Sequence, residues 1–293
     1  MKYHVPVLLN EVLAYFLPSK GRRYIDATLG DGGHTLELLK SGAGVLGIDY
    51  HRESLERAKE RVKREGLSTN FIGILGNFKN IDRIAKENGF EQVDGILFDL
   101  GYSSSELEEE IGLSFQQEAP LDMRLDKSLG VTASDLVNAL SEVQLAKIFR
   151  EYADERYAKK FAREICKYRK LEKLQTTKQL ADLICSVAPP GYERGRIHSA
   201  TRVFQALRIA VNDEIENLKL ALPRAAHLLL PGGRMLVISF HSLEDKAAKT
   251  FGRSVQPQFK ELTKKPLAPS ENETRANVRS RSARMRVFEK YDH

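Results

Sequence analysis

The chain has 293 residues, 42% hydrophobic and 29% charged, with two cysteines and a formal net charge of +6. This composition fits one large or two small globular domains with a full core, and two cysteines exclude a disulfide framework or a cysteine-rich metal cluster. The positive charge is concentrated: residues 156–173 hold eight Lys/Arg against two Glu, residues 253–290 hold ten against four, and the remainder is net acidic. Two basic zones on a roughly neutral body point to a polyanionic partner, nucleic acid before others, and the sparse cysteines fit a reducing cytoplasm.

Val5–Leu17 is apolar but interrupted by Asn10 and Glu11. It is too short to span a bilayer and lacks a signal-peptide cleavage pattern, so no membrane association is expected. Leu8, Leu9, Val12, Leu13 and Phe16 instead fall on one helix face. Residues 21–101 then alternate strand and helix signals. Tyr24–Ala27, Gly44–Asp49, Phe71–Leu75 and Val93–Phe98 read as strands. Between them lie a helix starting over Thr35–Leu39, a charged helix carrying Leu55, Ala58 and Val62 and stopped by Gly66, and a short helix over Asn80–Asn88. Helices of this length between strands imply right-handed βαβ crossovers and a parallel sheet. Continuous apolar strands agree, because they are buried on both faces.

Residues 105–198 show no convincing strand. They contain three capping boxes ahead of apolar-periodic runs: Thr132-x-x-Asp135, Ser141-x-x-Gln144 and Thr176-x-x-Gln179. Pro189-Pro190-Gly191 ends the last helix. The expectation is an inserted helical domain over 105–198, between two parts of an α/β domain at 1–104 and 199–293. In the second part, Thr201–Leu222 reads as one long amphipathic helix that Pro223 bends or breaks. Pro231–Phe240 reads as a turn and fifth strand, residues 253–280 as loop-like, and Arg284–Tyr291 as a last strand.

Several groups carry chemistry. Gly30-Asp31-Gly32-Gly33-His34 follows the first strand and opens a helix, so its N–H groups and the helix dipole suit a carboxylate or phosphate; a plain tight turn is the bland alternative. Asp49 ends the second strand about 20 residues on, the ribose-binding distance, and a helix N-cap is its alternative role. Asp99-Leu-Gly-Tyr102 ends the fourth strand and resembles the Asp/Asn/Ser-Pro-Pro-Tyr motif of amino-group methyltransferases, with Leu100-Gly101 in place of Pro-Pro. An acceptor there localises the lone pair of a conjugated exocyclic amine and aligns it with a methyl donor; Asp99 as a positioning acid or helix cap is an equal reading. For Tyr102, packing is favoured over base stacking. Phe78 can flank an adenine ring or fill the core. His241-Ser242 lies at the crevice rim, with Ser242 the expected N-cap. Cys166 and Cys185 read as small apolar helix residues, and the absence of H-E-x-x-H and C-x-x-C argues against a catalytic metal. Arg194–Arg202 and Arg279–Arg286 are Arg/Ser-rich runs suited to phosphate oxygens, while Tyr157, Phe161 and Tyr168 read as the core side of a basic helix.

Taken together, His4–Val12, Asp26–His34, Phe98–Ser104, Pro120–Asp126, Arg196–Arg208, Ser239–Asp245 and Ser280–Arg286 resemble, across essentially the whole chain, one bacterial family. Its members methylate the exocyclic N4 of a cytosine in the decoding region of small-subunit 16S ribosomal RNA. The resemblance implies an α/β, class I (Rossmann-like) methyltransferase with a mostly parallel seven-stranded sheet and an inserted all-helical substrate domain. It implies S-adenosyl-L-methionine as methyl donor and S-adenosyl-L-homocysteine as product. It places Gly32, Gly33 and His34 at the methionine part, Asp49 at the ribose and Phe78 at the adenine, with Asp99 and Glu106 completing the site. Relatives often carry Gln where Glu106 stands, Val at Tyr102 and Pro at Ser105 and Ser199. Asp99 is the best candidate for polarising the amine. Two other classes remain open: a nicotinamide-dependent oxidoreductase, disfavoured by the missing third glycine of G-x-G-x-x-G, and a non-catalytic RNA-binding or assembly factor. DNA is a narrower rival substrate.

Overall fold

The computed structural model describes residues 5–101, 111–195 and 197–291. The chain divides into two compact units, one formed by Met1–Ser103 with Ile215–His293 and the other by Ser104–Glu214.

The first unit runs α1 (Leu9–Phe16), β1 (Arg23–Asp26), α2 (Gly33–Lys40), β2 (Gly44–Asp49), α3 (Arg52–Arg64), β3 (Phe71–Leu75), α4 (Ile81–Glu87) and β4 (Val93–Asp99). Its seven strands lie in the order β3-β2-β1-β4-β5-β7-β6, with β5 spanning Leu229–Ser239, β6 Phe259–Glu261 and β7 Arg284–Lys290. The first five pair in parallel, and β7 runs antiparallel to β5 and β6. This is the mostly parallel seven-stranded sheet expected.

Alternate strand residues enter two separate cores, as a period-2 chain buried on both faces requires. Ile25, Ile48, Ile96 and Val237 meet Ile81 and Leu222 on one side, while Tyr24, Val45, Leu97 and Ile238 meet Val12, Phe16 and Leu38 on the other. The N-terminal helix therefore belongs to the core of this unit. No helix of the described residues is long and apolar enough to cross a membrane.

Three expectations are corrected. The helix after Thr201 breaks at Asp213 and not at Pro223. Asp213 adopts φ 50° after Thr201–Asn212, and the next helix, Glu214–Leu228, carries Pro223 inside it. A proline forfeits only its own helical hydrogen bond and strains the turn before it; here Ala221, Leu222, Ala225 and Ala226 are all buried around it. Residues 253–280 are not simply loop-like, since they hold β6 and the short helix Glu271–Ala276. The helix Ser242–Ser254 is capped by His241 rather than Ser242, in a capping box with Glu244.

In the second unit, described residues form α5 (Ala133–Ala139), α6 (Glu142–Ala153), α7 (Ala158–Tyr168), α8 (Thr177–Val187) and α9 (Thr201–Asn212). All three capping boxes form as spaced in the sequence. Val203, Phe204 and Leu207 of α9 share a core with Leu145, Phe149, Phe161 and Ile184. That shared core is why this unit extends beyond residue 198, where the sequence places the return to the α/β part. Phe161 is buried as expected, whereas Tyr157 is 39% exposed. Cys166 is half-buried and packs against this core, as expected of a small apolar helix residue, whereas Cys185 is exposed, its Sγ 3.4 Å from His198 Nε2.

Candidate active site

β1, β2 and β4 are parallel, and each ends in an acid: Asp26, Asp49 and Asp99. The topology therefore brings three carboxyl groups to one edge of the sheet, where open α/β sheets bind ligands. The glycine loop follows β1 at this edge. Gly30 and Gly32 adopt φ 50° and 73°, a region that favours glycine. Gly32 is the N-cap of α2 and offers no side chain to its first turn, leaving the N–H groups of that turn for a ligand.

The acid of β2 secures the loop. Asp49 is buried, and its Oδ2 accepts the Gly30 N–H at 2.7 Å while Oδ1 accepts the His51 N–H at 2.8 Å. His51, not Asp49, caps α3 by accepting the Ser54 N–H, which sets aside the N-cap reading of Asp49.

His34 sits in the first turn of α2, only 5% exposed. Its Nε2 lies 2.9 Å from the Val7 carbonyl oxygen. A carbonyl only accepts, so this contact assigns the proton to Nε2 and leaves Nδ1 as a lone pair. Nδ1 is 3.7 Å from Asp99 Oδ2. Burial lowers the His34 pKa, against the opposing pull of the Asp26 charge. The same cause acts on Asp99, whose pKa is pushed up to about 7, mainly by burial, with Glu244 adding to the rise and the Gly101 N–H opposing it. Both partners are thus driven towards their neutral forms, and the pair is a close polar contact rather than a fixed ion pair. The Asp99 side chain still keeps 18% of its surface, so a substrate group can reach it. Its backbone is pinned by a 2.6 Å hydrogen bond from the Asp99 N–H to Thr28 Oγ1.

Phe78 follows β3 and meets Phe98 edge-on, with centroids 5.8 Å apart. It is half-buried against the core, one part packing and the rest accessible. Glu106 and Tyr102 lie outside the described residues. Sequence reading passed over Asp26, which is almost wholly buried and accepts the Thr35 hydroxyl at 2.7 Å; burial raises its pKa, and the His34 and Thr35 contacts oppose the rise. Its signal was present, since it ends an apolar strand just as Asp49 and Asp99 do. Glu244 was also missed. It is 4% exposed and accepts the N–H groups of Phe240 and His241 at 2.7 and 3.2 Å.

Comparison with known proteins decides what this arrangement belongs to. The model of the MraW methylase family matches residues 1–291. The chain belongs to that family. A relative from Persephonella marina is 44% identical over 292 residues, covering 98% of this chain and 99% of its own. Another, from Syntrophotalea carbinolica, is 47% identical over 306 residues, covering 97% of each. Both carry the name ribosomal RNA small subunit methyltransferase H. Among solved structures, a putative rRNA-methylase from Clostridium thermocellum aligns over 98% of this chain and 99% of its own, at 15% identity and a TM-score of 0.49. Membership makes the chain a methyltransferase with a Rossmann-like sheet and removes the hydride-transfer reading.

Proposed function

We propose that the chain transfers the methyl group of S-adenosyl-L-methionine to the exocyclic N4 of a cytidine in 16S ribosomal RNA of the small subunit, in the cytoplasm. The observation that carries the reading is the near-complete match, at 44–47% identity, to relatives named for small-subunit ribosomal RNA methylation. The strand-end site supports it chemically. The uncapped first turn of α2, at Gly32, Gly33 and His34, suits the methionine carboxylate, and the Asp49 oxygens suit the ribose diol. Phe78 offers a half-buried ring to the adenine. Glu106 completes the cofactor set by resemblance.

The cofactor supplies an electrophilic methyl on a positive sulfur. Asp99 accepts a hydrogen bond from the N4 amine and turns its lone pair towards that methyl. Methyl transfer to the amine would leave the S–C electron pair on sulfur and one proton to be lost from the amine. Asp99, whose pKa burial pushes up to about 7, is the carboxyl at this strand edge suited to take it. In the second unit, Arg156, Lys159, Arg163, Lys167 and Lys170 are exposed on and beside α7 and form a surface for RNA phosphates. The C-terminal basic run contributes Arg279, Arg281 and Arg284, which are exposed, but not Arg286, which is buried between Asp245 and Glu261.

Deleting the gene tests this reading in cells. One N4-methylated cytidine disappears from 16S RNA and returns on complementation; unchanged 16S modification contradicts it.

A further inference from the structure

The glycine loop carries an acid that the reaction above does not use. Asp31 lies between Gly30 and Gly32, beside the N–H groups assigned to the methionine carboxylate, and its side chain is only 10% exposed. A bare negative charge there repels a second one arriving next to it. The structure supplies the counter-charge from α3. Arg57 Nε donates to Asp31 Oδ1 at 2.9 Å, Arg57 Nη2 donates to Ser54 Oγ at 2.9 Å, and Arg61 Nη1 donates to the Asp31 carbonyl at 3.2 Å.

From Ser54 the bonds continue back to the loop. The Ser54 N–H donates to His51 Nδ1 at 3.3 Å, the His51 N–H to Asp49 Oδ1 at 2.8 Å, and the Gly30 N–H to Asp49 Oδ2 at 2.7 Å. The ring closes on the residue next to Asp31. It ties the methionine end of the site to the ribose end through one guanidinium. Contact between loop and helix is close: a Cβ on Gly32 would sit 3.2 Å from Ala58 Cβ.

We infer that Arg57 is a positioning residue for the cofactor, which acts by neutralising Asp31 so that the loop N–H groups can donate to the methionine carboxylate without a bare negative charge beside it. This rests on S-adenosylmethionine being the cofactor. Arg57 touches no reacting atom, so its influence is confined to ligands that carry the carboxylate. The guanidinium fork engages Asp31 and Ser54 together, which one ammonium group does less well.

Calorimetry on the full chain tests it with two ligands, S-adenosylhomocysteine and 5′-methylthioadenosine, the second lacking the amino-acid end, carboxylate and ammonium together; the reversal by Asp31→Asn is what ties any loss to the Asp31 charge. Arg57→Met weakens S-adenosylhomocysteine about tenfold and changes methylthioadenosine less than about twofold, as expected when the Asp31 carboxylate loses its direct partner and keeps only Arg61, on its main-chain carbonyl, nearby. Asp31→Asn alone binds both ligands like the parent, and Asp31→Asn with Arg57→Met recovers most of the lost affinity. In turnover, Arg57→Met raises KM for the methyl donor and leaves kcat within about twofold. Equal losses for both ligands, no loss at all, or a double variant as weak as Arg57→Met overturns the inference. If Arg57→Met lacks a cooperative melt, Arg57→Gln carries the same comparison. A parent chain that binds neither ligand overturns the cofactor assignment itself, a different outcome from any of these.

Discussion

His34 Nδ1 faces Asp99 Oδ2 across 3.7 Å, while the other ring nitrogen is held by the Val7 carbonyl. The imidazole therefore turns a lone pair, not a proton, towards the carboxyl group. A proton arriving on Asp99 has an acceptor beside it, and burial favours keeping it there.

This arrangement predicts a pH-dependent rate. Asp99 can take the amine's proton only when ionised, and burial pushes its pKa up to about 7. That value belongs to the ligand-free chain, so kcat/KM, measured at subsaturating cofactor and RNA, rises between about pH 6 and 8 and then levels. Asp99→Asn lowers the rate by about 10²–10⁴ and flattens this limb. A parent profile flat across that interval contradicts the assignment.

Stability should move in the opposite sense. The folded-state pKa of Asp99 lies above the unfolded value of 3.8, so between about pH 4 and 7 the folded chain binds the proton more tightly. Folding therefore loses stability as pH rises through that window, and the cost is fully present above 7. Without ligand, Asp99→Asn melts higher than the parent by a few degrees at pH 8, and the gain vanishes near pH 4.

Gly32→Ala strains the loop twice, through φ 73° and through a Cβ placed 3.2 Å from Ala58. Chemical denaturation should show a loss of about 1–2 kcal/mol, with weaker S-adenosylhomocysteine binding. Wild-type behaviour on both counts would mean the loop relaxes without cost.

Charge reversal at Lys159, Arg163 and Lys167 on α7 is expected to raise KM for RNA and to reduce its salt dependence, because fewer counterions are released. The affinity for S-adenosylhomocysteine, measured separately, stays the same. An unchanged RNA affinity removes α7 from the RNA surface.

Much of this was legible in the sequence for identifiable reasons. Gly44–Asp49 matches the strand read from the sequence because a buried parallel strand leaves a continuous apolar run between glycine-marked turns; Phe71–Leu75 matches by its apolar run too, although it is the edge strand and leaves Ile72 and Leu75 exposed. The capping boxes formed because their chemistry is local. What failed was decided by packing or by distance along the chain. Pro223 survives inside a helix whose neighbouring residues are buried, while Asp213, a short polar residue that tolerates the left-handed region, makes the break. β6 is three residues long, too short to show a period. In the site, Asp49 and Asp99 stood out as acids ending strands, and Asp26 carried the same mark unread. The Asp31–Arg57 pair left no local trace, because its members are 26 residues apart and meet only when α3 packs against the loop.

The most direct test of the central claim uses small ribosomal subunits from cells lacking this protein. They are incubated with the purified chain and methyl-labelled S-adenosylmethionine, and the RNA is digested to nucleosides. The account predicts label in N4-methylcytidine of 16S RNA, and little with Asp99→Asn. Label in any other nucleoside, or none from a chain that binds S-adenosylhomocysteine, contradicts it.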